Sequence, residues 1–120
     1  MVLVDTSVWI THLRVGDRNL EKLLLETKVM CHPFVIGELA CGNMKNRNEI
    51  ISLLQDLPEV SVISQEEFLY FIDFHELIAV GIGFVDVHLL ASSCLLEIPL
   101  WTQDKRLRLA AEKLGISYEP

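Results

Sequence analysis

The chain opens with Val2-Leu3-Val4-Asp5-Thr6-Ser7, three apolar residues followed directly by an acid and two hydroxyl side chains. A continuous apolar run this short is typical of a strand that is covered on both faces, as in a parallel sheet. In an open parallel sheet, ligands bind beyond the carboxyl ends of the strands. This stretch therefore predicts a covered strand and, in Asp5, a candidate functional carboxylate immediately after it.

Short apolar runs alternate with helical patterns along the rest of the chain. Besides Val2–Val4, strands are predicted at Val60–Ile63 and Pro99–Thr102, with weaker candidates at Val29–Cys31 and Ile116–Tyr118. Helices are predicted at Ser7–Val15, Leu20–Thr27, Pro33–Cys41, Glu49–Leu57, Gln65–Ala79, Asp86–Leu96 and Lys105–Leu114. Alternation with short connections predicts an α/β fold with a parallel sheet.

Composition favours one compact domain over residues 1–120. The chain is 51% hydrophobic and 22% charged, which excludes a long disordered tail. Three cysteines, Cys31, Cys41 and Cys94, form no C-x-x-C pair and indicate a reducing compartment. The start lacks the basic region of a secretory signal, and Asp86 interrupts the apolar segment Leu77–Leu96. We expect a cytoplasmic protein without a membrane segment.

The charge distribution is uneven. A net charge of -7 ordinarily discourages binding to nucleic acid. All ten basic residues, however, lie at positions 14–47 and 105–113, and positions 48–104 contain none. If the two basic blocks fold together, one face is cationic although the whole chain is acidic. For any single basic residue, an ordinary solvated helix face explains the charge equally well.

Four acids stand out from their surroundings. Glu38 and Asp86 lie in strongly apolar segments, where burial of an unpaired carboxylate costs several kcal/mol. Asp5 and Asp104 each follow a predicted strand and precede a predicted helix, so N-capping alone would explain either one. Asp86 is also explained by the favourable interaction of an acid with a helix N-terminus.

Together, four such carboxylates would repel one another unless a cation lay between them. A donor set of oxygen atoms, without clustered Cys or His, favours Mg²⁺ or Mn²⁺ over zinc. The chemistry expected of such a site is metal-assisted phosphodiester hydrolysis. Aspartyl-phosphate chemistry fits less well, because Asp5 is followed by Thr6 and Ser7 rather than by D-x-D.

Four segments carry a family resemblance, and they are Leu3–Ile10, Pro33–Gly42, Gly81–Ala91 and Trp101–Leu107. In their order and residues they resemble the motif blocks of PIN-domain ribonucleases, in particular the VapC toxins of bacterial type II toxin–antitoxin pairs. The resemblance spans Val2 to Tyr118. It implies a PIN-like three-layer α/β domain whose central parallel sheet of about five strands is flanked by helices.

The resemblance also implies the site. Carried over residue by residue, it gives a catalytic Mg²⁺ site, with Mn²⁺ as a substitute, made of Asp5, Glu38, Asp86 and Asp104. Thr6 and Thr102 match supporting hydroxyl positions. A further acid soon after Asp104 is missing, and the nearest is Glu112, which leaves the number of metal ions open.

Function follows from the same likeness: an endoribonuclease toxin that acts on RNA, is neutralised by a cognate VapB-type antitoxin and forms a homodimer. The basic residues expected to hold the RNA backbone are Arg14, Arg47, Lys105 and Arg106. The alternative is a catalytically silent PIN-like binding or scaffold module whose acids only cap helices. The presence of all four acids favours the enzyme.

Two other residues have ordinary structural interpretations. His88 lies in the same segment as Asp86, and we expect it to be a hydrogen-bonded structural residue more than a substrate contact. Trp9 lies between Val8 and Ile10 and is expected in the core or a dimer interface.

Overall fold

Three short parallel strands organise the molecule. A computed structural model describes all residues, 1–120. The strands are β1 (Val2–Val4), β2 (Val29–Met30) and β3 (Leu100–Trp101), and their order in the sheet is β2-β1-β3. Both neighbours of β1 run parallel to it. All three residues of β1 are buried, as the apolar run at the start of the chain predicts.

The outer strands of the predicted five-stranded sheet are reduced to single bridges. Glu59 pairs with Cys31 beyond β2, and Ser117 pairs with Leu100 beyond β3, both in parallel. The predicted strand Val60–Ile63 is therefore wrong in its extent. Its backbone pairs with the sheet only through Val60, whose N–H donates to the carbonyl of Cys31 at 3.0 Å, and the chain then turns into the next helix.

Seven helices complete the domain. They are α1 (Thr6–Val15), α2 (Arg18–Leu25), α3 (Pro33–Cys41), α4 (Arg47–Gln55), α5 (Gln65–Phe74), α6 (Phe84–Leu96) and α7 (Lys105–Lys113). Contacts divide most of them into two groups, α1 with α3 and α4, and α6 with α5 and α7. This is the expected arrangement of helical layers around a parallel sheet. None of the helices is both long and apolar enough to cross a membrane.

Helix α5 ends five residues earlier than its sequence pattern predicts. Glu76 has a φ of 53°, in the left-handed region, and this stops the helical hydrogen bonding. The N–H of Leu77 then returns to the carbonyl of Ile72 at 3.0 Å. The residues between Phe74 and Phe84 form the loop that leads into α6.

The core joins the sheet to helices of both groups. Leu3 and Val4 of β1 are fully buried together with Leu89 of α6 and Leu107 of α7. Trp9 of α1 belongs to the same cluster, so its predicted place in the core is confirmed. Because β1 lies at the centre of this cluster, the residue that follows it has little freedom to move.

His32 is a fully buried titratable group in this core. Its Nδ1 accepts the N–H of Phe34 at 2.9 Å and so caps α3, while Nε2 has no partner. The ring of His88 lies 6.0 Å away, centroid to centroid. Burial, together with the neighbouring His88, lowers the pKa of His32 to about 4.

This buried histidine makes stability depend on pH. Because the folded-state pKa lies below the unfolded value, its contribution is complete above pH about 6.5 and is lost as the pH falls towards 4. Urea denaturation should show a loss of roughly 3 kcal/mol across this window. The variant His32→Asn keeps a capping acceptor without the titration and should remove most of the loss. Parallel loss of stability in both proteins would contradict this assignment.

Candidate active site

The four predicted acids come from four different elements that meet at one end of the sheet. Asp5 directly follows β1 and Asp104 lies just beyond β3, so the parallel pairing of these strands places both at the same edge. Asp86 is the third residue of α6. Glu38 lies in α3 and is joined to the first residue of α1 by a hydrogen bond of 2.6 Å from Thr6 Oγ1 to Glu38 Oε1.

Asp5 is the buried member of the set, with 5% of its surface exposed. Its Oδ2 accepts hydrogen bonds from Thr102 Oγ1 at 2.7 Å and from Ser7 Oγ at 2.8 Å. Each hydroxyl oxygen in turn accepts a backbone N–H at 3.0 Å, Thr102 from Asp104 and Ser7 from Gln103. The network therefore ties the ends of β1 and β3 together through the carboxylate.

Ser7 is a site residue that the sequence prediction missed. The motif Asp5-Thr6-Ser7 drew attention to Thr6 alone, yet the hydroxyl of Ser7 is the one that bonds to Asp5. Thr6 instead orients Glu38. No local signal distinguishes Ser7 from Thr6, because Gln103, whose N–H bonds to Ser7, lies 96 residues further along the chain.

The capping interpretation is right for Asp104 and wrong for Asp5, whose side chain makes no capping hydrogen bond to α1. Asp86 lies in the first turn of α6, where an acid interacts favourably with the helix N-terminus. The N–H of Leu107 donates to Asp104 Oδ1 at 2.9 Å, and that of Gly83 donates to Asp86 Oδ2 at 3.2 Å. The expectation of a buried Glu38 is wrong, since its side of α3 is exposed. Its surroundings in sequence are apolar because the opposite side of α3, with Val35 and Leu39, enters the core.

Each of the four carboxylates uses a single oxygen for these structural bonds. The oxygens without a hydrogen bond from the chain are Asp5 Oδ1, Glu38 Oε2, Asp86 Oδ1 and Asp104 Oδ2. Capping and ligand binding are therefore not competing explanations here. One oxygen of each acid fixes the side chain, and the other remains for a ligand.

The acids lack any compensating cation of the chain. The two ion pairs of the structure, Lys28 with Glu26 and Arg108 with Glu112, involve none of them. Burial raises the pKa of Asp86, the N–H of Gly83 opposes this rise, and the negative charges of Asp5, Asp104 and Glu38 raise the pKa further. The four groups are therefore close enough to repel one another.

This donor set fits a hard divalent cation. No three acidic, imidazole or thiol groups converge into a ready-made metal cage. Mg²⁺ is usually held through one or two carboxylates and keeps several waters, so it requires no such cage. Each acid has one oxygen fixed by a hydrogen bond and a second oxygen that is free. These free oxygens carry uncompensated negative charge, which suits this ion.

The predicted RNA-binding cations differ in their surroundings. Arg14 lines a cavity of about 420 Å³ together with Glu38 and Lys45. Arg47 is partly engaged, because its Nε donates to the carbonyl of Ala40 at 3.1 Å. Lys105 and Arg106 are exposed in the first turn of α7, directly after Asp104. Both basic blocks of the sequence thus contribute residues near the acids.

His88, two residues after Asp86 in α6, lies in an aromatic cluster. Its ring stacks on Phe68 at 4.5 Å between centroids and meets Phe84 edge to face at 4.7 Å. It is buried, and Nδ1 has no hydrogen-bond partner. The predicted structural role is right, but aromatic packing rather than hydrogen bonding supplies it.

Comparison with known proteins identifies the family of this chain. Residues 2–113 match the family model of the PIN domain. Ribonuclease VapC32 from two strains of Mycobacterium tuberculosis, CDC 1551 / Oshkosh and ATCC 25618 / H37Rv, is 43% identical over 118 residues, which cover 98% of this chain and 95% of the relative. The chain therefore belongs to the PIN-domain family and, within it, to the VapC ribonucleases.

A solved structure shows the same fold at low sequence identity. The crystal structure of PAE2754 from Pyrobaculum aerophilum is similar to this chain with a TM-score of 0.66 and 15% identity. The alignment covers 94% of this chain and 90% of that one. At this identity the likeness supports the α/β PIN fold and nothing more specific.

The network around Asp5 makes a stability prediction. Thr102→Val removes one donor to Asp5 and leaves the N–H of Asp104 without its acceptor, so it should cost about 1–3 kcal/mol in urea denaturation. Thr11→Val is the matched control, because the hydroxyl of Thr11 bonds to the side chain of Gln103 at an exposed position. Its cost should stay within about 0.5 kcal/mol. Equal costs would contradict a special role for Thr102.

Proposed function

We propose that this chain is a Mg²⁺-dependent endoribonuclease and the toxic component of a type II toxin–antitoxin pair. The observation that carries the proposal is the set of four carboxylates, each with one free oxygen and none with an ion pair. Family membership supplies the substrate class, because the relatives are named as ribonucleases. The 1–120 chain acts as a single PIN domain in this proposal.

The residues divide into holding and orienting groups. Asp5, Glu38, Asp86 and Asp104 hold Mg²⁺, or Mn²⁺ as a substitute, through the oxygens that have no bond within the chain. When bound, the metal activates the attacking water and stabilises the charge on the leaving oxygen of the phosphodiester. Thr102 and Ser7 fix the carboxylate of Asp5, and Thr6 fixes that of Glu38. These hydroxyls keep the acids in place against their mutual repulsion.

The substrate is bound by its phosphates in this proposal. Arg14 and Lys45 share a cavity with Glu38, and Lys105 directly follows Asp104, so these cations lie near two of the four acids. Arg47 contributes through its charge, since part of its guanidinium is bonded to the end of α3. Such contacts offset the net charge of -7 locally, where RNA approaches.

A cognate VapB-type antitoxin is the proposed protein partner, as membership of the VapC ribonucleases implies. A cytoplasmic location is proposed with it, in agreement with the three free thiols at Cys31, Cys41 and Cys94. A small neighbouring gene that encodes a DNA-binding protein would support this pairing.

The test of the activity is removal of one metal ligand. Cut sites on total RNA should appear with Mg²⁺ and disappear with EDTA. Asp5→Asn should lower cleavage by about a hundredfold or more, equivalent to several kcal/mol of transition-state stabilisation. Asp73→Asn, an exposed acid of α5, is the control and should cleave normally.

The same variants separate the enzyme from the silent module. Mg²⁺ should raise the midpoint of thermal unfolding of the wild-type chain, because a ligand that binds only the folded state stabilises that state. The effect on Asp5→Asn should be smaller. A folded wild-type chain with neither metal-induced stabilisation nor Mg²⁺-dependent cleavage would favour the scaffold alternative.

We also propose a homodimer that uses the face formed by α5 and α6. Tyr70, Phe74 and Leu95 are exposed there and line an apolar groove of about 710 Å³. Exposed apolar surface of this kind marks protein interfaces. The aromatic side chains of Tyr70, Phe71 and Phe74 line this groove, and they suit a second copy of the same face.

The dimer prediction is tested by a charge in the groove. Phe74→Asp should shift the mass measured by sedimentation from dimer to monomer. Leu25→Asp is the matched control, because Leu25 is 80% exposed at the end of α2, away from the groove. A dimer that persists in Phe74→Asp would place the interface elsewhere.

A further inference from the structure

A contact between Gly81 and Arg106 lies outside the acid network. Gly81 has a φ of +80° in the loop before α6, and Arg106 is the second residue of α7. A Cβ added to Gly81 would come within 2.5 Å of Arg106 Nη1 and 3.0 Å of its Cδ. The arginine side chain therefore lies directly against the backbone of the glycine, in space that any other residue would fill.

Both partners are adjacent to metal-ligand candidates. Gly81 precedes Gly83, whose N–H donates to Asp86. Arg106 follows Asp104, which caps α7. The side chain of Arg106 thus reaches from α7, which begins after Asp104, to the loop that contains Gly83, the hydrogen-bond partner of Asp86. It lies between the segments that carry Asp86 and Asp104.

The guanidinium of Arg106 has no partner within the chain. It makes no hydrogen bond and no ion pair within the chain, although uncompensated carboxylates are close in sequence. Arg108, two residues further along the same helix, pairs with Glu112 at 3.9 Å. The side chain of Arg106 lies against Gly81, and its donors stay free for an outside acceptor. A planar guanidinium matches the oxygens of a phosphate with two parallel hydrogen bonds.

We propose that Arg106 binds a backbone phosphate of the RNA beside the acid pocket, and that Gly81 is its positioning residue. The inference rests on the proposed nuclease function and adds to it a specific phosphate contact and the reason for a glycine at position 81. Arg106 offers the substrate a planar fork of donors that no group of the chain occupies. Its orientation depends on the absence of a Cβ at position 81.

The test measures kcat/KM at a series of KCl concentrations. The substrate is a labelled oligoribonucleotide that contains a cut site, chosen from the sites mapped on total RNA. Arg106→Ala should lower kcat/KM by about 10- to 100-fold, the effect of losing a charge-assisted bidentate contact. The slope of log(kcat/KM) against log[KCl] should become shallower by about 0.7, which corresponds to one phosphate of a single strand. Arg106→Lys should restore the slope and only part of the rate.

Gly81→Ala tests the positioning role. It should lower kcat/KM by about tenfold by displacing the guanidinium. In the Arg106→Ala background it should cause no further loss, because the two residues act as one unit. Gly16→Ala is the matched control: Gly16 has a φ of +79° with nothing within 4 Å of its added Cβ, so it carries the same backbone strain without displacing an arginine.

Arg108→Ala controls for the loss of a positive charge on the same helix and should leave kcat/KM nearly unchanged. Thermal unfolding of each variant checks that the fold is retained. If the wild-type chain cleaves and Arg106→Ala cleaves equally well with the same salt slope, the inference is wrong and the nuclease function stands. A wild-type chain that cuts no RNA would overturn both.

Discussion

The paired hydrogen bonds from Ser7 and Thr102 to one oxygen of Asp5 are the contact on which the site depends. A buried carboxylate without a cation is expensive, and two hydroxyl donors offset part of its lost hydration. The same hydroxyls accept backbone N–H groups from the turn after β3. Removing them would therefore loosen the strand ends and the carboxylate at once, so fold and site share the same bonds.

The other acids extend this principle. Glu38, Asp86 and Asp104 are each fixed through one oxygen, by a threonine or by a helix N-terminus. Helix N-termini also carry partial positive charge, which lowers the repulsion between the acids without neutralising them. Burial raises the pKa of Asp86, and the remaining negative charge of the other three acids raises it further. This repulsion is the physical basis of the proposal that a divalent cation binds here.

The sequence predicts most accurately those features that depend on neighbouring residues. The apolar run of β1 and the acid after it define the centre of the sheet and the site, and parallel pairing with β3 then brings Asp104 to Asp5. It failed where partners are distant. The backbone of Val60–Ile63 finds too few partners to form a full strand, and Glu76 ends α5 by its backbone conformation. The role of Ser7 appears only once β3 lies beside α1.

The positions of single cations explain how an acidic chain can bind a polyanionic substrate. At a net charge of -7, long-range attraction cannot guide RNA to the pocket, so affinity must come from cations at fixed positions close to the acids. A freely moving arginine there would tend to fold back onto a neighbouring carboxylate and satisfy it. Arg106 instead lies against the backbone of Gly81 and forms no ion pair with the acids. In the proposed function, this position, and not only the charge, separates a phosphate-binding group from acids a few residues away.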